Sequence, residues 1–156
     1  MAEKVIIQLG GKVKNFTLPD QVGRDFILNQ MKGRRVLLSF HPLAWTPVCS
    51  LQMQSLERNK KAWDRFNTTA VGVSVDSVPC KAAWAEALKI KHTRLLSDFW
   101  PHGHVAKSLG LFREKNGFSQ RANVLLDEAG RVIFMRVYPL AELPDVDEII
   151  AFLKNA

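Results

Sequence analysis

Cys49 stands at a position in the sequence where a cysteine could act as a nucleophile. The residues before it favour the start of a helix, because Thr46 is a good N-cap residue and Pro47 is favoured at the first helical position. Unpaired backbone N–H groups and the helix dipole in that first turn favour a thiolate, the attacking form of cysteine. Since free cysteine is also among the most buried residue types, a small buried side chain without chemistry is an equal interpretation at this point.

The second cysteine has a similar local setting. Cys80 follows Ser77, Val78 and Pro79, so it is also predicted to lie in the first turn of a helix. Two cysteines are too few for a disulfide scaffold, and they suit a redox or catalytic role, or no role at all.

Each cysteine follows one of the two strands of a predicted βαβ unit. Residues 36–40 and residues 70–75 are short, β-rich and largely apolar, as strands buried on both faces should be. Between them, apolar side chains at helical spacing predict one helix over residues 46–66, and the crossover should be right-handed. The segment before Cys49 then lies beyond the carboxyl end of a strand, where open α/β sheets tend to hold their sites.

The other elements complete an α/β pattern. They are a hairpin of residues 16–18 and 26–28, helices at 79–89 and 102–109, strands at 122–126 and 132–138, and a final helix capped by Asp145. The connection between the last two strands is short enough to force an antiparallel hairpin. This order resembles the thioredoxin fold, a central mixed β-sheet flanked by helices, here with an N-terminal β-hairpin, and one domain over residues 1–156 is expected.

Composition and charge narrow the classes of function. With 156 residues, 47% hydrophobic and 24% charged, the chain is globular in composition, which argues against a disordered, collagen-like or coiled-coil protein. No apolar run is long enough to span a bilayer, and charged residues interrupt residues 1–14, so we expect a cytoplasmic protein without a signal peptide. The net charge of +7 is spread along the chain without a binding motif, so neither nucleic acid nor a membrane is an expected partner.

A family resemblance decides between the interpretations of Cys49. Pro42, Thr46 and Cys49 match the Pro-three-Thr-two-Cys signature of the peroxiredoxins, which are thiol peroxidases of the alkyl hydroperoxide reductase and thiol-specific antioxidant family. The residues that extend the likeness over most of the chain are Asp76, Trp84, residues 97–103 and 105–107, Gly110, Arg121, Asp127 and Gly130. Residues 97–103 most resemble the one-cysteine alkyl hydroperoxide reductase E branch.

The resemblance implies a mechanism and its participants. Cys49 would attack hydrogen peroxide or a small organic hydroperoxide and become a sulfenic acid. The Thr46 hydroxyl, the first-turn N–H groups and Arg121 would be the donors that stabilise the moving charge, and Pro42 would limit access of water. No metal or cofactor is expected. A thioredoxin-like protein or a small thiol would return the electrons, and a homodimer is expected because relatives commonly dimerise.

Cys80 has two interpretations under this resemblance. Some peroxiredoxins carry a resolving cysteine in the corresponding helix, and it closes an intramolecular disulfide with the sulfenic acid. A disulfide needs Cα atoms about 4.4 to 6.8 Å apart, so two helix starts on neighbouring strands would have to unwind locally. The alternative is a bystander thiol in an enzyme that an external thiol recycles.

Two positions depart from the family pattern, and two other functions stay open. Many relatives carry an aromatic residue in place of His41 and a glutamate in place of Gln52. Protonated His41 would support the thiolate, whereas a neutral histidine would satisfy a backbone carbonyl. A thiol-disulfide oxidoreductase is disfavoured by the missing Cys-two-Cys pair, and a redox-inactive thioredoxin-fold binding module would show no peroxide consumption.

Overall fold

Residues 7–156, the part of the chain that the computed structural model describes, form nine strands and five α-helices. The strands are β1 (Thr17–Pro19), β2 (Asp25–Ile27), β3 (Arg35–Phe40), β4 (Thr68–Ser74), β5 (Arg94–Ser97), β6 (Phe112–Arg113), β7 (Phe118–Ser119), β8 (Arg121–Leu126) and β9 (Val132–Tyr138). The α-helices are α1 (Pro47–Arg58), α2 (Lys60–Arg65), α3 (Val78–Leu88), α4 (His104–Ser108) and α5 (Val146–Lys154).

A five-stranded mixed sheet forms the centre of the fold. Its strand order is β5-β4-β3-β8-β9, in which β3, β4 and β5 are parallel and β8 and β9 are antiparallel to their neighbours. Strands β1 and β2 pair as the predicted N-terminal hairpin, with Leu18 opposite Phe26. The predicted α/β class, mixed sheet and hairpin are therefore confirmed.

The sheet divides the interior into two apolar cores. Alternate residues of a strand point to opposite faces, so Leu38 and Val124 join one core while Leu37 and Leu125 join the other. The second core also contains Cys49, together with buried side chains of α1, α3 and α5. The candidate nucleophile thus lies between the sheet and its covering helices.

The single helix predicted over residues 46–66 is wrong, because the chain breaks between α1 and α2 at Asn59. The Asn59 side chain donates to the Ser55 carbonyl at 2.7 Å, and the Trp63 indole donates to the Leu56 carbonyl at 3.0 Å. Side chains that bond to nearby carbonyls compete with the helical backbone in this way.

Three further strands were not predicted from the sequence. The edge strand β5 has four residues, and β6 and β7 form a hairpin of two residues each. Runs this short carry too little periodicity to be recognised. The third predicted helix, at residues 102–109, is shorter than expected and spans only His104–Ser108.

None of the helices in residues 7–156 is long and apolar enough to cross a membrane. The prediction that residues 1–14 contain no signal peptide depends partly on residues 1–6, which lie outside the described residues.

Candidate active site

Cys49 is the third residue of α1, which begins directly after the loop that follows β3. Pro47 occupies the first helical position, as predicted, and Thr46 has the extended backbone of an N-cap residue. The Thr46 side chain does not cap the helix, and its hydroxyl donates instead to the Leu43 carbonyl at 2.7 Å. Cys49 itself is fully buried.

Arg121 reaches the sulfur from the start of β8. Its Nη1 lies 3.3 Å from Cys49 Sγ, and the side chain is 3% exposed. Its Nε and Nη2 both donate to the Leu140 carbonyl, at 3.0 and 2.7 Å. All three nitrogens are thereby oriented, so the guanidinium is held in place before any substrate arrives.

Gln52 holds Arg121 from the opposite side. Its Oε1 accepts from Arg121 Nη1 at 2.7 Å, and its Nε2 donates to Ser39 Oγ at 2.8 Å and to the Phe40 carbonyl at 3.1 Å. Gln52 lies three residues after Cys49, so both point to the same face of α1. Because the amide is neutral, it orients Arg121 without cancelling its charge.

His41 and Pro42 are buried at the end of β3. Nδ1 of His41 lies 3.4 Å from the Ser39 carbonyl, and Nε2 lies 3.5 Å from Nζ of Lys81. Burial and the nearby charge of Lys81 hold the pKa of His41 well below its usual 6.5. The neutral imidazole is therefore favoured. Its neighbour Lys81 is itself buried, which lowers the pKa of that lysine to about 7, and it was not predicted from the sequence.

Cys80 occupies the third position of α3, with its N–H capped by Ser77 Oγ at 3.3 Å. Its sulfur lies 3.9 Å from Asp76 Oδ1, and burial and the Asp76 charge raise the pKa of the Cys80 thiol. The other oxygen of Asp76 accepts from the Ala44 N–H at 2.8 Å, which connects the start of α3 to the loop before Cys49. Both cysteines are free thiols.

These contacts favour thiolate chemistry at Cys49. In the described part of the chain, no carboxylate forms an ion pair with Arg121. A thiolate at Cys49 would therefore be the anion that the guanidinium contacts directly, at the start of a helix whose dipole also favours negative charge. An ionised sulfur at such a position can attack an electrophile.

Comparison with known protein families agrees with this chemistry. The model of the AhpC/TSA family matches residues 9–135. The chain belongs to the AhpC/TSA family. The match begins before the N-terminal hairpin and ends within β9, so it includes Cys49, Cys80 and Arg121.

Individual members of this family give the same result. Alkyl hydroperoxide reductase E of Mycobacterium tuberculosis is 31% identical over 141 residues, which cover 90% of this chain and 92% of the relative. The reduced 2-Cys peroxiredoxin of Plasmodium vivax has a TM-score of 0.84 at 30% identity, over 94% of this chain and 80% of that one. AhpC of Enterococcus faecalis has a TM-score of 0.88 over 96% of this chain and 92% of that one, and its 19% identity supports the fold alone.

These similarities confirm the predicted peroxiredoxin family and thioredoxin-like fold, with similarity to the alkyl hydroperoxide reductase E branch. The chain is a peroxiredoxin, a thiol-dependent peroxidase. Peroxiredoxins reduce hydroperoxides with electrons from thioredoxin-like reductants, and they are commonly oligomeric.

Proposed function

We propose that this peroxiredoxin reduces hydrogen peroxide and small organic hydroperoxides through Cys49. The observation that carries the proposal is the 3.3 Å approach of Arg121 Nη1 to Cys49 Sγ, without a carboxylate partner for that guanidinium among residues 7–156. A cation in direct contact with a buried sulfur favours the thiolate over the thiol.

The thiolate attacks the terminal oxygen of the hydroperoxide in line with the O–O bond. An S–O bond forms and the O–O bond breaks, so Cys49 becomes a sulfenic acid and the departing oxygen leaves as hydroxide or alkoxide, which then takes up a proton. Negative charge moves from sulfur to oxygen in this step. Arg121 and the N–H groups of the first turn of α1 remain in place and stabilise the charge along that path.

Thr46 contributes as an acceptor in this arrangement. Its hydroxyl hydrogen is used in the bond to the Leu43 carbonyl at 2.7 Å, so the oxygen can accept from a second donor. Hydrogen peroxide and organic hydroperoxides both carry an O–H group that can fill this role. We therefore assign Thr46 to orienting the substrate O–H, whereas the sequence analysis expected it to donate to the departing oxygen.

Burial of Cys49 limits the size of the substrate and requires local motion. The residue has no exposed surface, so a peroxide reaches it only when the loop over residues 41–46 moves. Trp45 in that loop has φ of 71°, a conformation that is unfavourable for a bulky residue, and its side chain is 56% exposed. An exposed loop residue under backbone strain is consistent with a segment that opens readily. Pro42, buried at the base of the loop, keeps water from the sulfur when the loop is closed.

Cys80 is the proposed resolving residue. It would attack the sulfur of the Cys49 sulfenic acid and release water, and a thioredoxin-like protein or a small thiol would then reduce the disulfide. Support comes from its place at the start of the helix after β4, the strand next to β3, and from its partial exposure. Because the Asp76 carboxylate disfavours the Cys80 thiolate, resolution requires α3 to unwind far enough for Cys80 to leave that contact.

The molecular mass after one equivalent of hydrogen peroxide tests both cysteine roles. Loss of two hydrogens from the wild type is expected for the disulfide, and a stable added oxygen would instead support the one-cysteine mechanism with an external thiol. Replacing Cys49 with serine should abolish peroxide consumption. If Cys49→Ser keeps full activity, the proposed function is wrong.

A cytoplasmic homodimer completes the proposal. Two free cysteines suit a reducing compartment. Trp45, Phe99 and Trp100 are 56%, 50% and 79% exposed on loops, which suits a contact surface between subunits near the active site. Sedimentation analysis of the wild type should give a dimer, and a monomer at all concentrations would rule out this assembly.

A further inference from the structure

A lysine side chain lies fully buried on α3. Lys81 has no exposed surface, although lysine is almost never fully buried unless it is paired. Its Nζ lies 3.5 Å from His41 Nε2, and no carboxylate in residues 7–156 lies within ion-pairing distance of it. A buried ammonium group without a direct carboxylate partner is costly, so packing alone does not account for it.

Lys81 belongs to the face of the sheet that carries the candidate nucleophile. Its partner His41 lies 5.3 Å from Trp84 between ring centroids, and Trp84 donates to Ser50 Oγ at 3.1 Å. Ser50 directly follows Cys49 on α1, and Cys49 and Trp84 are members of the same apolar core. Lys81 and Trp84 are three residues apart on α3 and share a face of that helix.

We infer that Lys81 is a positioning residue for the peroxidase reaction, because its buried positive charge, held beside His41 on this face, favours the thiolate form of Cys49. The inference rests on the proposed role of Cys49 as the peroxide-reducing thiol. Arg121 supplies one positive charge in contact with the sulfur, and Lys81 supplies a second at longer range. Charges act over longer distances in a buried environment than in water.

Several ionisable groups determine when Lys81 is charged. The charge of Lys81 is affected by four groups, Asp76, Cys80, Cys49 and Asp98. Its partner His41 is affected in turn by the charges of Lys81 and Arg121. Burial lowers the pKa of Lys81 from 10.5 to about 7, and the anionic forms of those four groups oppose the shift. Lys81 is therefore charged on the acidic side of neutral pH.

The pH profile of Cys49 alkylation tests this role. Iodoacetamide is the probe, and Cys80→Ser is the common background, so that Cys49 alone reacts. Lys81→Met keeps an unbranched side chain of similar size and removes the charge. We expect the midpoint of the profile to rise by about one pH unit, which is about tenfold slower alkylation below the midpoint. Lys91→Met is the matched control, because Lys91 is an exposed lysine shortly after α3, and its midpoint should equal that of the background.

A reciprocal measurement that leaves Lys81 in place covers the case in which Lys81→Met does not fold. If the two groups interact, each must affect the protonation of the other by the same free energy. Titration of ¹³C-labelled lysine by NMR should therefore give a lower pKa for Lys81 in Cys49→Ser than in the wild type.

The inference is overturned if the midpoint is unchanged in folded Lys81→Met, or if the pKa of Lys81 is the same with and without Cys49. If the inference about Lys81 fails but Cys49→Ser still loses peroxide consumption, the proposed function stands. If Cys49→Ser remains fully active, the proposed function fails instead.

Discussion

The Arg121 guanidinium donates to the Cys49 sulfur at 3.3 Å while the same nitrogen donates to the neutral Gln52 amide at 2.7 Å. This arrangement orients a full positive charge toward the sulfur, and no carboxylate among residues 7–156 forms a competing ion pair with it. Arg121 therefore stabilises a Cys49 thiolate more strongly than it would if an ionised carboxylate stood in place of the Gln52 amide.

Replacing Arg121 with lysine should slow peroxide reduction about 10²- to 10³-fold, the usual loss when one fixed donor to a transition-state charge is removed. Lysine keeps the charge but lacks the planar set of donors that reaches the Leu140 carbonyl and Cys49 together. Stopped-flow measurement of the second-order rate constant with hydrogen peroxide checks this. Arg136→Lys, on the exposed part of β9, is the control and should be unaffected. A loss of less than about threefold in Arg121→Lys would contradict the assignment.

Gln52→Glu should lower the share of Cys49 that is thiolate below neutral pH. An ionised glutamate would pair with Arg121 and place a negative charge near the sulfur, so the midpoint of the alkylation profile should move upward. Gln54→Glu adds the same charge to α1 at a partly exposed position and serves as the control. Equal profiles for Gln52→Glu and the wild type would show that the neutral amide has no electrostatic role.

Thr46→Val and Thr46→Ser should separate the hydroxyl from the methyl group. Serine can still donate to the Leu43 carbonyl and accept from the substrate, whereas valine can do neither. We expect Thr46→Val to lose about 10-fold or more in the rate constant with hydrogen peroxide and Thr46→Ser to retain most of it. If valine and serine behave alike, the hydroxyl does not orient the substrate.

The lowered pKa of Lys81 predicts a specific pH dependence of the free energy of unfolding. Its pKa is about 7 in the folded protein against an ordinary value of 10.5 for lysine, so the unfolded chain binds this proton more tightly. The contribution of Lys81 to the free energy of unfolding is therefore lowest at and below about pH 7 and rises as the pH increases toward about 10. Lys81→Met should be more stable than the wild type near pH 7, and the difference should shrink in more alkaline solution.

Urea unfolding of both proteins at several pH values measures that difference. A difference that stays constant with pH would mean that Lys81 is protonated equally in the folded and unfolded states. Lys91→Met should show no such pH-dependent difference, since that side chain is exposed.

The sequence predicted the backbone framework of the site better than its interior. The N-cap at Thr46 and the helix start at Pro47 follow from local residue preferences, so the first turn around Cys49 was predictable. The buried pair of His41 and Lys81 was not, because a lysine on a helix is normally expected to face solvent. Its one signal is the spacing of Lys81 from Trp84, which puts both on one helix face.

Strand β5 and the break at Asn59 were also out of reach from the sequence. A four-residue strand has no useful periodicity, and its identity depends on pairing with β4. The break depends on side-chain bonds from Asn59 and Trp63 to helix carbonyls, which an apolar pattern does not encode. Tertiary contacts decide both features.

The most direct test of Cys49 is a rapid-mixing experiment with hydrogen peroxide on the Cys80→Ser variant. Tryptophan fluorescence would follow the reaction, since Trp45 lies four positions before Cys49 in the loop that must move, and a sulfenic acid trap with peptide mapping would locate the product. We expect a fluorescence change whose rate is proportional to peroxide concentration, and a trapped sulfenic acid on Cys49. A protein that reduces peroxide while Cys49 stays an unmodified thiol would contradict this expectation.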